Sequence, residues 1–277
     1  MRLGDAPESG NFEDRTGQRG GGGGLGGGLI GMLLPLVASR FGIVGVLVLG
    51  LGYCALTSLG GLGGGPTTNG ESRLTPDQGQ VLKRVLGSTE QVWGQIFQQS
   101  GAQYKPTRLV AYSNQNNSGC GAAQAAMGPF YCPTDQSIYI DPTFFDELSR
   151  RFQAPGDAAQ AYVIAHEVGH HIQYLQGTLD RAQSAQARSS TAAGNALQVG
   201  VELQADCYAG VWAKRSGLLE QGDIGEGMKA AEAIGDDMLT KGRVSPDNFT
   251  HGTSAQRQEA LNRGLSSGDP AQCNYAR

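Results

Sequence analysis

His166-Glu167-Val168-Gly169-His170 is the stretch on which the reading of this chain turns. It matches H-E-x-x-H, a pattern with a physical meaning. Residues four apart on a helix share a face, so His166 and His170 offer two imidazole nitrogens to one metal ion. Glu167 sits beside the first of them, where its carboxylate reaches a water at the metal without binding the ion. Zinc lowers the pKa of such a water toward about 7, and the neighbouring carboxylate takes its proton as it attacks a carbonyl. The plainer alternative is two histidines and an acid on a solvated helix. The flanking residues oppose it: Ala161, Val163, Ile164, Val168 and Ile172 suit burial, and buried histidines need partners. The spacing predicts a helix from Gly156 to Gln176, with Asp157 in its first turn and Gly177 as its stop. His171 lies about 100° around the helix from His170, so it reads as a second-sphere or surface residue rather than a ligand.

Catalytic zinc takes three protein ligands and keeps a fourth position for water. A metzincin would continue with Gly at 173 and His at 176, but this chain has Gln173 and Gln176. The third ligand falls instead on Glu202, in a helix predicted from Thr191 to Ser216. Asp206 shares its face and is placed to accept a hydrogen bond from a ligand histidine, fixing its tautomer. This E-x-x-x-D arrangement resembles the second metal helix of thermolysin-like, glutamate-type zinc peptidases. His251 stands just before a further predicted helix and is assigned to the oxyanion formed during amide attack. Arg257 is placed in the surroundings of the metal; a loop histidine with a structural arginine is the alternative. Their spacing is similar to the late H-P-x-x-x-x-R element of membrane-associated zinc peptidases, with Gly252 where those have proline.

At this point the chain resembles the neutral zinc metallopeptidases of bacteria, the YpfJ-like family. The resemblance rests on the Gly-rich start Arg19 to Gly28, the hydrophobic segment after it, Ser118-Gly119-Cys120-Gly121 and Gly128-Pro129-Phe130-Tyr131-Cys132-Pro133. It continues through Tyr139-Ile140-Asp141, the run from His166 to His171, Glu202 to Gly210 and Thr250-His251-Gly252. It implies a membrane-anchored zinc metallopeptidase domain acting on peptide or protein substrates, with one Zn2+ per chain. Two histidines and a carboxylate also suit Fe(II), Mn or Co, but H-E-x-x-H favours zinc.

Composition divides the chain. Gly20 to Gly28 holds eight glycines, a low-complexity tract. No charged residue occurs between Arg40 and Glu71, and residues 41–62 are long enough to cross a bilayer at about 1.5 Å per residue. Arg2, Arg15, Arg19 and Arg40 precede that stretch, and Arg73 is the first basic residue after it, so the N-terminus is expected in the cytoplasm. The expected organisation is a cytoplasmic Gly-rich segment over 1–40, a transmembrane helix over 41–62, a linker over 63–74 and a peptidase domain over 75–277. The domain would then lie outside the cytoplasm of a bacterial inner membrane, held in the lipid bilayer by residues 41–62.

The cysteines agree with an oxidising compartment. Cys54 falls in the hydrophobic segment and leaves Cys120, Cys132, Cys207 and Cys273, which can pair three ways. The short loop favours Cys120–Cys132 and so Cys207–Cys273; no C-x-x-C pair supports a second zinc site. With a net charge of −4 and no basic patch, a nucleic-acid partner is not expected.

The expected fold is α+β and helix-dominated, a zincin-like domain following one membrane helix. Helices are predicted from Thr75 to about Ser100, from Asp141-Pro142 to about Phe152, over 222–239 and over 254–264. Strands are predicted over 107–112 and 137–141, the latter as the edge strand that holds substrate. The function read from these residues is endopeptidase activity with Glu167 as general base. A zinc-stabilised envelope scaffold without catalysis, or a peptidase held latent, are the alternatives.

Overall fold

Thr75 starts the first long helix through a capping box: its side chain accepts from the Gln78 N–H while the Gln78 side chain accepts from the Thr75 N–H, with Pro76 at the first helical position. The computed structural model describes residues 1–18 and 72–276. Strand β1 (Phe12–Asp14) comes first, then helix α1 (Pro76–Gln99) and β2 (Arg108–Ala111). A hairpin of β3 (Gln115–Ser118) and β4 (Gly121–Gln124) leads to β5 (Phe130–Cys132) and β6 (Ser137–Ile140). Helices follow: α2 (Thr143–Phe152), α3 (Asp157–Leu175), α4 (Thr178–Gln186), α5 (Thr191–Ser216), α6 (Asp223–Ala233), α7 (Asp236–Leu239) and α8 (Ser254–Ser267). The helix-dominated α+β class is the one expected.

The expected helix over 222–239 is broken. Gly235 is extended (φ −71°, ψ 145°), and a Cβ there would overlap the backbone of Ser254, so the chain turns between α6 and α7 to pack against the start of α8.

The main sheet has the order β1-β2-β6-β5, with β1, β2 and β6 parallel and β5 antiparallel to β6. This corrects the edge strand. Residues 137–140 lie inside the sheet with all four side chains buried, whereas β5 forms the edge. The alternation of β6 misleads because Tyr139 is covered as well, stacked on Phe130 at 5.3 Å.

The core runs between the sheet and the helices, with Leu86, Trp93, Leu109, Ile138, Ile164 and Trp212 among its buried members. Within it α3 crosses α5 at Gly169, where a Cβ would lie 2.9 Å from both Cα and O of Ala205. Only glycine allows that approach. The central x-x of H-E-x-x-H therefore sets the distance between the histidine face and the Glu202 face.

Both expected disulfides form. Cys120–Cys132 ties the β3–β4 hairpin to β5, and Cys207–Cys273 ties the C-terminal tail to α5, with Cα–Cα distances of 5.8 and 5.5 Å.

The N-terminus requires a correction. Met1–Thr16 belong to the same compact unit as Ser72–Arg277, not to a separate segment over 1–40, and the domain does not begin at 75. β1 pairs with β2 (Phe12 opposite Leu109, Asp14 opposite Ala111), Ser9 Oγ donates to Glu90 at 2.6 Å, and the Met1 ammonium lies 3.3 Å from Asp223. The sequence hid this because a three-residue strand has no measurable periodicity. Paired strands lie about 4.8 Å apart, so β1 and β2 cannot face each other across about 30 Å of hydrocarbon. The expected orientation, with the N-terminus cytoplasmic and 75–277 outside, predicts opposite sides for the two flanks, whereas the pairing of β1 with β2 predicts one side. Compartment reporters fused to residue 1 and to residue 277 should thus report the same side; opposite sides would mean that β1 does not pair in the cell. The expected span 41–62, the Gly20–Gly28 tract and Cys54 lie outside the described residues. Among the described residues no helix is long and apolar enough to cross a membrane.

Candidate metal centre

α3 carries His166, Glu167 and His170 on its buried side, and α5 brings Glu202 and Asp206 against them. His166 Nε2 lies 3.2 Å from one Glu202 carboxylate oxygen, and His170 Nε2 lies 3.7 Å from the other. The three donor groups fall within 4.8 Å of one another. Ligands about 2.1 Å from a tetrahedral zinc sit about 3.4 Å apart, so this set has the dimensions of a zinc site with three protein ligands.

The second layer fixes the donor chemistry. His166 Nδ1 lies 2.7 Å from Asp206 Oδ1, and His170 Nδ1 lies 2.8 Å from Gln173 Oε1. Both acceptors are oxygens without a proton to give, so each Nδ1 carries the hydrogen and each Nε2 presents a lone pair to the centre. Asp206 Oδ1 also accepts from Tyr162 Oη at 2.6 Å and from Arg257 Nη2 at 2.9 Å. Arg257 is 1% exposed and lies 4.0 Å from Glu202 as well. Its 3.3 Å approach to His166 Nδ1 is a contact, since both nitrogens are donors.

Electrostatics follow from burial and neighbours. Burial alone would raise the Glu202 carboxyl, but His170 and His166 outweigh it and hold it well below the usual range. Burial likewise opposes a charged Asp206, and Arg257 with His166 keeps it ionised. Glu167 goes the other way: burial raises it, offset only in part by the two histidines. Its Oε2 is buried and has no hydrogen-bond partner.

His166, Glu167, His170 and Glu202 face a cleft of about 700 Å³ that also reaches Arg257, His251 and the β5 edge at Phe130 and Tyr131. Apolar side chains, among them Val163, Leu179, Phe144 and Ile234, supply much of its wall. His251 is half exposed at the rim. Asp236 holds it by accepting from the backbone N–H groups of Thr250, His251 and Gly252, with its other oxygen 3.1 Å from His251 Nδ1.

The structure thus brings together every residue singled out at this site: His166, Glu167, His170, Glu202, Asp206, His251 and Arg257. His171, read as a second-sphere or surface residue rather than a ligand, lies outside the ligand cluster and is fully buried. Its Nε2 donates to the Lys105 carbonyl at 2.7 Å, so its Nδ1 accepts from Tyr131 Oη at 3.0 Å, joining α3 to β5. Sequence reasoning missed Gln173, Tyr162 and Asp236. Gln173 had a findable signal, since it lies three residues after His170 on the same helical face. The partners of Tyr162 and Asp236 are distant in sequence, and nothing local marks them.

A family model described as "Putative neutral zinc metallopeptidase" matches residues 1–276. The chain is 44% identical to the uncharacterized protein YpfJ of Escherichia coli (strain K12), over 99% of this chain and 98% of that protein. It is 41% identical to an uncharacterized protein of Mycobacterium tuberculosis (strain H37Rv) over 62% of each. No solved structure is a significant match. The family model begins at residue 1, before β1, as the folded unit does. Matched over nearly its whole length, the chain belongs to this neutral zinc metallopeptidase family.

Proposed function

We propose that this protein is a zinc-dependent endopeptidase that hydrolyses peptide bonds outside the cytoplasm. One observation carries the reading: two imidazole lone pairs and an ionised carboxylate converge on one point, while Glu167 lines the same cleft and has a buried oxygen without a hydrogen-bond partner. His166, His170 and Glu202 would hold the ion, which supplies Lewis acidity toward the attacking water and the scissile carbonyl. Glu167 takes a proton from that water and delivers it to the departing amine. Asp236 keeps His251 at the rim with its Nδ1 hydrogen engaged, so Nε2 donates to the developing oxyanion only in the imidazolium form. The open edge of β5 offers backbone groups to an extended peptide.

The two disulfides support an oxidising compartment. The uncharged stretch 41–62 supports contact with a lipid bilayer. The full chain, produced with its disulfides, should carry about one zinc and cleave an unfolded casein-type protein. Chelation should abolish cleavage, and added zinc should restore it. Bound zinc without cleavage would favour the scaffold or latent readings; absence of bound metal would overturn the proposal.

A further inference from the structure

We infer that Gln173 and Gln204 form an amide relay that positions His170, and that the relay is anchored in the C-terminal tail. The inference rests on the metal-site reading above. Its logic starts at two backbone carbonyls, which can only accept. The Val201 carbonyl takes a hydrogen bond from Gln173 Nε2 at 2.7 Å, and the Cys273 carbonyl takes one from Gln204 Nε2 at 2.8 Å. Each contact fixes which end of its amide is nitrogen. Gln204 Oε1 is then free to accept the second Gln173 hydrogen, at 3.0 Å. Gln173 Oε1 is turned to His170 Nδ1 at 2.8 Å, and an oxygen there demands a hydrogen on Nδ1. The lone pair of His170 is thereby placed on Nε2, toward His166 and Glu202.

The two amides are buried, Gln173 at 0% and Gln204 at 7% exposure, so water does not compete for these bonds. Gln173 uses its oxygen and both amide hydrogens within the protein, an arrangement that leaves its side chain a single orientation. The outer end of the relay is the carbonyl of Cys273, a residue bonded through its sulfur to Cys207 on the same helix as Gln204 and Glu202. The disulfide thus keeps the last acceptor within reach. Asp206 performs the equivalent task for His166 with a charged group. The two ligand histidines are therefore oriented by different chemistry, one by a carboxylate and one by neutral amides tied to the tail.

Zinc affinity, measured on the full chain by competition with a chromophoric chelator, tests the relay without reference to activity. Gln173→Ala should weaken zinc binding by about 10- to 100-fold, the usual cost of losing a partner of a ligand histidine. Gln173→Glu, which keeps an acceptor facing Nδ1 but sets its second oxygen against the Val201 carbonyl and Gln204 Oε1, should recover only part of it. Gln204→Ala and the paired change Cys207→Ser with Cys273→Ser should each weaken binding by a smaller factor. The combination of all three should be no worse than the larger of the two, because both remove the same anchor. A Gln173→Ala protein that melts earlier but binds zinc like wild type would reduce Gln173 to a packing role and overturn the inference. Full additivity of Gln204→Ala with the cysteine pair would overturn the link to the tail. If wild type itself binds no zinc, the metal-site reading fails instead, and the two failures are told apart in one titration.

Discussion

Glu167→Gln should lower peptide-bond cleavage by about 10²- to 10⁴-fold while leaving about one zinc bound per chain. The substitution keeps size and shape and removes only the ability to take up a proton, so it separates base from ligand. Glu167 lies between the two histidines in sequence, yet the carboxylate that bridges their Nε2 atoms is Glu202, from another helix. Glu167 instead lines the cleft with its Oε2 buried and unpartnered, and burial raises its carboxyl above the ordinary value. In the metal-free protein that burial favours the protonated carboxyl, the form a base reaches after it has taken a proton from an attacking water. Metal analysis and cleavage rate on the same preparation decide the matter. Loss of zinc in the Gln variant would make Glu167 a ligand, and undiminished cleavage would remove it from proton transfer altogether.

The same helix shows how much of the site was legible beforehand. His166, Glu167 and His170 announce themselves because their chemistry lies within one helical turn, and the face shared by Glu202 and Asp206 is equally local. Their convergence depends on Gly169, whose missing side chain lets α5 approach; the sequence displays that glycine but not what it faces. Capped helices were legible too, as α1 after Thr75 and α5 after Ser190 illustrate. Short strands were not. β5 and β1 have three residues each, and their identity comes from partners that are distant in sequence, β6 for one and β2 for the other. The expectation of a separate N-terminal segment over 1–40 failed for that reason. Arg15 was counted as a topogenic charge, yet its side chain pairs with Glu13 at 2.7 Å and its N–H donates to the Ala111 carbonyl. Hydrogen bonds between strands far apart in sequence leave no local pattern, so the chain reads as a linear string of modules even where it folds back on itself.

Asp206→Ala should destabilise the metal-free protein by about 3–5 kcal/mol, the cost of stranding one member of a buried ion pair. Arg257 is 1% exposed and Asp206 is 0% exposed; with the carboxylate gone, the guanidinium would keep its charge with only the more distant Glu202 to answer it. Tyr162 Oη and His166 Nδ1 would lose their acceptor in the same step. Against a total stability of about 5–15 kcal/mol, such a loss is large. Urea unfolding with chelator present isolates this effect, because bound zinc would add its own stabilisation to the folded state. The informative companion is Asp206→Leu with Arg257→Met, in which apolar groups of similar size replace both charges. Buried pairs replaced in this way often cost little or nothing, so the double variant should regain most of the lost stability. It should not regain zinc affinity, which we expect to stay about 10- to 100-fold below wild type because His166 lacks the oxygen that holds its proton on Nδ1. Stability and metal affinity would then part company in one protein, which assigns the Asp206–Arg257 pair to orienting the ligand rather than to holding the fold. Recovery of both together would mean that the pair acts on zinc only through the packing of α3 against α5.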